Sequence, residues 1–166
     1  MSVHQQHATG GIDPIEQIAT RVWQKRSALA QHFLQSGRWD QATFNRETAL
    51  LAAPCILAGC STQALPGDMA IELESFRNCL RFPGGTPYRR TEAEAREDLA
   101  TDLASPLAWC KALGEATNRA EARWREEPSA ENRADWMDLI QLSRALEVPM
   151  PWPIHPKRDE PERIAA

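Results

Sequence analysis

Four arginines, Arg77, Arg81, Arg89 and Arg90, stand between positions 77 and 90 with no acidic residue among them. Phe82 and Tyr88 lie between them, and Gly84 and Gly85 allow close backbone approach. A guanidinium binds phosphate or carboxylate through two parallel hydrogen bonds, and an aromatic ring can stack on a base. The pattern therefore offers recognition of an anionic surface, either nucleic acid or an acidic face of a protein. A competing use is internal. The next segment opens with Glu92, Glu94, Glu97 and Asp98, which could pair with these arginines in a solvated turn. The glycines do not form a phosphate-binding loop, because the lysine–serine/threonine ending is absent and no strand precedes them.

The thiols are the second group with chemical potential. Cys55, Cys60, Cys79 and Cys110 are scattered, with no Cys-x-x-Cys pair. His4, His7, His32 and His155 do not stand at zinc-ligand spacing from them. The stretch Leu57-Ala58-Gly59-Cys60 resembles the lipobox of bacterial lipoproteins, in which the cysteine after a small-residue pair is lipidated. That signal works at an extreme N-terminus behind a short basic segment. Here a helical segment precedes it, and Glu47 stands just before the apolar run. A thiol or metal site made by Cys55 and Cys60 is a further reading. The plain expectation is a buried helix end with inert thiols in a reducing compartment.

No enzymatic constellation emerges from the residue types. His32 is the one histidine within the predicted helical body, and no serine or cysteine stands in a nucleophile motif. The Glu-x-x-His metal pattern is absent. The carboxylates read as helix-surface charges, such as Glu94 and Asp98 beside Arg96. No catalytic residue, cofactor or metal is expected.

The elements that must position these groups read as helices. Asp13 is the predicted N-cap of a first helix, with Pro14 at its first position, Glu16 in the first turn and Gly37 as its stop. Ile15, Ile18, Val22, Leu29 and Phe33 recur on one face, interrupted by Lys25 and Arg26. A second helix begins polar and ends apolar, with a kink or end predicted at Pro54 and a stop at Gly59. Its start, with Gln41, Asn45 and Arg46, could also serve as the second element of a helix-turn-helix. Met69, Leu73, Phe76 and Leu80 form the apolar stripe of a third. Thr91 with Glu94, and Ser105 with Pro106, mark two further starts, and Pro128-Ser129 precedes the last helix. Pro149, Pro151, Pro153 and Pro156 favour an extended tail.

The expected fold is all-α: one domain of five to seven helices over 12–148, a polar arm over 1–11 and a proline-rich tail over 149–166. The length suffices for a core, and no apolar run approaches the ~20 residues of a membrane-spanning helix. A net charge of −4 argues against a surface devoted to nucleic acid, though not against a local basic patch. Six tryptophans, several beside charges, suggest helix seams or partner surfaces. Trp152 alone stands in the tail, as a strap or as an anchor for a partner.

These features point to a non-enzymatic, cytoplasmic adaptor, regulator or inhibitor that contacts a protein partner stoichiometrically. Arg77, Arg81, Tyr88, Arg89, Arg90 and Trp152 are the expected partner-binding residues. The alanine- and arginine-rich composition is compatible with a bacterial, phage or plasmid gene. Accessory proteins of that kind include inhibitors of host machinery such as a CRISPR defence complex. Nucleic-acid binding through the Arg77–Arg90 loop is the alternative.

Overall fold

The computed structural model describes residues 13–79 and 91–153, with side chains described for 13–74 and 91–153. Among the described residues it holds six α-helices and no strand, which is the all-α class expected. They are α1 (Ile15–Gln35), α2 (Gln41–Leu57), α3 (Gly67–Cys79), α4 (Glu92–Leu103), α5 (Pro106–Glu126) and α6 (Ala130–Ala145). A short 3-10 turn, Thr62–Ala64, separates α2 from α3.

Local chemistry starts four of these helices. The Thr43 amide donates to Asp40 Oδ1 at 2.7 Å, and the Glu94 amide to Thr91 Oγ1 at 3.2 Å. The Ala108 and Asn132 amides donate to Ser105 Oγ and Ser129 Oγ at 3.3 and 3.0 Å. Each bond satisfies an amide that the first helical turn leaves without a partner. Helix α1 departs from the expectation. Its N-cap is Pro14, with no side-chain cap, and the Asp13 carboxylate is instead spent on Arg21 at 3.0 Å.

Three helix ends share one device. After α2, the Cys60 amide donates to Cys55 O and the Gly59 amide to Ile56 O, with Gly59 at φ +90°. After α6, the Val148 amide donates to Ser143 O and the Glu147 amide to Arg144 O, with Glu147 at φ +58°. Both are the paired bonds of a left-handed C-terminal cap. At the end of α1, Gly37 takes the same conformation at φ +73°, and the Arg38 guanidinium lies 4.5 Å from the Phe33 ring centroid. Helix α2 does not end at Pro54, as the sequence suggested it could, but runs through it to Leu57.

Helices α1, α2, α5 and α6 pack as a closed ring of four: α1 on α2, α2 on α5, α5 on α6 and α6 on α1. Short connections make α1–α2 and α5–α6 antiparallel. Arg21 meets Asp138 while Arg26 meets Asp135, so α1 and α6 also run in opposite directions. The excursion α3–α4 is inserted between the second and third ring helices, with α4 laid on α2 and α3 on α4. Helix α2 thus has neighbours on three sides. This explains why Ala52, Ala53, Pro54, Cys55 and Ile56 are buried consecutively, with no polar face among them. Ile18, Val22, Ile56, Leu139 and Leu142 fill the ring's interior, each no more than 2% exposed. Among the described residues no helix is long and apolar enough to cross a membrane.

Candidate functional site

Of the residues expected to meet a partner, Arg77 lies on the last turn of α3, but its side chain falls outside the described residues. Arg81, Tyr88, Arg89 and Arg90 lie outside them altogether. Trp152 is described and half-buried. Its carbonyl accepts from Asn118 Nδ2 at 3.0 Å, and its ring covers Gly114 of α5. A Cβ at Gly114 would stand 2.5 Å from the indole, so the absence of a side chain there is what admits the ring. The chain from Val148, itself buried, to Trp152 forms a strap that meets α5 through Trp152.

Cys55 and Cys60 are fully buried. They are the two positions bridged by the backbone bond of the α2 cap, where side chains commonly touch. Burial pushes the Cys55 thiol well above its ordinary range, and the neighbouring Cys60 adds to this, while Arg26 opposes it. Burial also raises the Cys60 thiol, partly offset by Arg96. A thiol held protonated in a dry core is a poor nucleophile and a poor metal ligand. Among the described residues no cluster of three His, Cys, Asp or Glu is gathered as a metal ion would require.

Two charged groups that read as surface are structural. Arg96 is 9% exposed. Its Nη1 donates to Ile56 O at 3.1 Å and its Nη2 to Glu92 Oε1 at 3.4 Å, so it adds a second hydrogen bond to the Ile56 carbonyl, which also accepts from the Gly59 amide at the end of α2. Lys25 and Arg26, which seemed to interrupt the apolar face of α1, converge on Asp135 of α6. Arg26 binds it through two bonds of 2.8 and 3.0 Å, and Lys25 and Arg123 each stand 3.6 Å away. Burial works to raise the Asp135 carboxyl, but the Arg26 hydrogen bonds and the three cations outweigh it and hold it below its usual range. Beside this group Trp124 and Trp136 stack across the α5–α6 seam, centroids 4.8 Å apart.

The feature that sequence reasoning missed is a groove of about 460 Å³ between α1, α2 and the 64–69 segment. Trp23, Phe44, Leu65, Pro66 and Met69 supply its apolar surface. Gln24, Ser27, Ala28 and Gln31 of α1 and Thr48 of α2 complete the wall, with Ala64 at the turn. The Trp23 indole donates to Ala64 O at 2.6 Å, which fixes the ring against the 3-10 turn. No residue of this lining is charged. The available signal was the run Gln24, Ser27, Ala28, Gln31: an uncharged stripe at helical spacing on a helix otherwise carrying Glu16, Arg21, Lys25 and Arg26. The exposed large apolar residues Leu29, Ile71 and Leu107 lie singly on three different helices and need no special account.

No family model, curated protein or solved structure matches this chain.

Proposed function

We propose that this protein works by stoichiometric contact with a protein partner, as an adaptor, regulator or inhibitor, and that the α1–α2 groove receives that partner. The observation that supports this reading is the composition of the groove. Eleven residues line it and none is charged, in a chain whose residues are 25% charged. Depletion of charge together with aromatic and methionine side chains is the mark of the central part of a protein interface. The groove's size suits a few apolar anchors. The inhibitor form fits a phage- or plasmid-type accessory protein that blocks host machinery such as a CRISPR defence complex. A nucleic-acid role would rest on Arg77, Arg81, Arg89 and Arg90, and nothing in the groove favours it.

Reconstitution tests the reading. A candidate partner captured from a bacterial lysate is purified, mixed with the full chain and weighed by multi-angle light scattering. A complex of fixed stoichiometry is expected, and Ala28→Arg or Gln31→Glu, both at exposed positions, should dissolve it. A complex indifferent to both substitutions would remove the groove from the reading.

A further inference from the structure

Trp152 is seated on α5 by two contacts that read one residue. Its ring lies on Gly114, where a Cβ would stand 2.5 Å from it, and its carbonyl accepts from Asn118 Nδ2 at 3.0 Å. Gly114 and Asn118 are one turn apart, so they share a face of α5. A notch for the ring and a donor for the carbonyl, at that spacing, fix both the residue and the way its chain crosses the helix. Neither Gly114 nor Asn118 belongs to the α1–α2 groove.

The segment that bears the ring suits such a seat. Pro151 and Pro153 flank Trp152, and Pro149 comes shortly before. A proline has no amide, so it asks for no acceptor from a helix whose own carbonyls are engaged internally. Pro151 has its φ fixed by its ring, and Pro153 disfavours the helical conformation for Trp152. An extended, proline-rich segment loses little freedom on docking, which is how such peptides are recognised elsewhere.

The strap is also lightly attached. Val148 is buried and its amide closes the cap of α6, but Pro149, Pro151 and Pro153 are exposed and Met150 is partly so. The four-helix ring closes through contacts between the helices themselves.

We infer that Gly114 and Asn118 form a binding site for a proline-flanked tryptophan, which the chain fills with its own residues 151–153, and that the strap can leave this site while the helices stay folded. The strap is then an internal ligand. Its short link to α6 holds it near the site at an effective concentration on the order of millimolar, so a free segment of the same sequence must compete with it. The inference does not depend on the reading of the α1–α2 groove.

The test follows the Gly114 amide and the Asn118 side-chain amide by NMR in the isotope-labelled full chain. Trp152→Ala vacates the site, and an acetylated, amidated peptide with the sequence of residues 148–153 is added. The variant should keep its helical circular dichroism. The peptide should move both signals toward their wild-type positions and saturate in the millimolar range. The wild-type chain, already occupied, should bind it at least about tenfold more weakly. Gly114→Ala combined with Trp152→Ala should weaken it by at least about tenfold too, because the added methyl fills the notch. The same peptide with alanine in place of tryptophan should not bind. Loss of helical signal in Trp152→Ala would make the strap part of the core and overturn the inference. A peptide that fails to bind, or that binds the Gly114→Ala chain equally well, would overturn it too.

Discussion

The Trp152 indole lies on Gly114 so closely that a Cβ at that position would stand 2.5 Å from the ring. Glycine inside a helix is ordinarily a weakness, costing about 1 kcal/mol against alanine. Here it is the condition for docking the strap. Gly114→Ala in the otherwise unchanged chain should therefore destabilise, by roughly 1–3 kcal/mol, as an overpacked contact does. In a Trp152→Ala background the same substitution should become neutral or stabilising, because only the helix propensity of alanine remains. Urea denaturation of the four proteins of this cycle measures both effects. An unchanged sign in the second background would mean that the ring is not seated on Gly114 in solution.

Glu147 holds φ at +58°, at the position after α6 where glycine is the usual residue. A residue with a Cβ pays about 1–2 kcal/mol in that conformation. Glycine relieves it, and returns part of the gain through the greater freedom of its unfolded chain. Glu147 is exposed, so little packing is lost with its side chain. Glu147→Gly should raise stability by about 0.5–1 kcal/mol, seen as an increase in Tm. A fall in Tm would show that the Glu147 side chain contributes more than its backbone costs.

The helix ends show which parts of this fold are written locally. Gly37 and Gly59 were legible as stops because the left-handed position and its residue preference belong to a few neighbouring atoms. Thr91 and Ser105 were legible as starts for the same reason. Glu147 was not, since a glutamate gives no sign that it will be forced into that conformation by what the strap beyond it must reach. Arg96 was read as one surface charge among several on an acidic helix. Its burial follows from α4 crossing the end of α2, a contact forty residues away in sequence.

The groove was illegible for a related reason. Its wall draws on 23–31, 44–48 and 64–69, and each stretch alone looks like an ordinary helix surface or loop. The uncharged stripe on α1 could have raised the question, but only the turn that brings Ala64 to Trp23 makes it one side of a groove. The expected working surface at Arg77–Arg90 is the opposite case. Its chemistry is plain in the sequence, and its placement depends on a segment outside the described residues.

The buried thiols give a chemical prediction. Cys55 and Cys60 have no exposed surface, while Cys110 is partly exposed. Burial raises the three thiols among the described side chains above their ordinary range, and of these three only Cys110 is open to reagent. Brief treatment of the folded protein with iodoacetamide at pH 8 should modify Cys110 slowly and leave Cys55 and Cys60 untouched. Denaturant should release both. Peptide mass spectrometry reads each site separately, and rapid native labelling of Cys60 would show that the end of α2 opens.

Asp135 gives a prediction in pH. Its carboxyl is held below the ordinary range in the folded protein by Arg26, Lys25 and Arg123, against the opposing effect of burial. A depressed carboxylate contributes stability that is complete above its unfolded value, about 3.9 for aspartate. That contribution is lost as pH falls through the lower folded value, because the unfolded chain then takes up the proton more readily than the folded one. The wild-type protein should therefore lose stability steadily as pH is lowered from 5 toward 2. Asp135→Asn cannot bind the proton, so its stability should fall less steeply over that interval. At neutral pH the variant should be destabilised by about 3–5 kcal/mol, because the 3%-exposed carboxylate leaves the 17%-exposed Arg26 guanidinium without its partner. Chemical denaturation across the pH range measures the slope and the offset together. Parallel curves for the two proteins would mean that Asp135 titrates at the same pH in the folded and unfolded chains, and that its pairing with Arg26 contributes nothing to the acid limb.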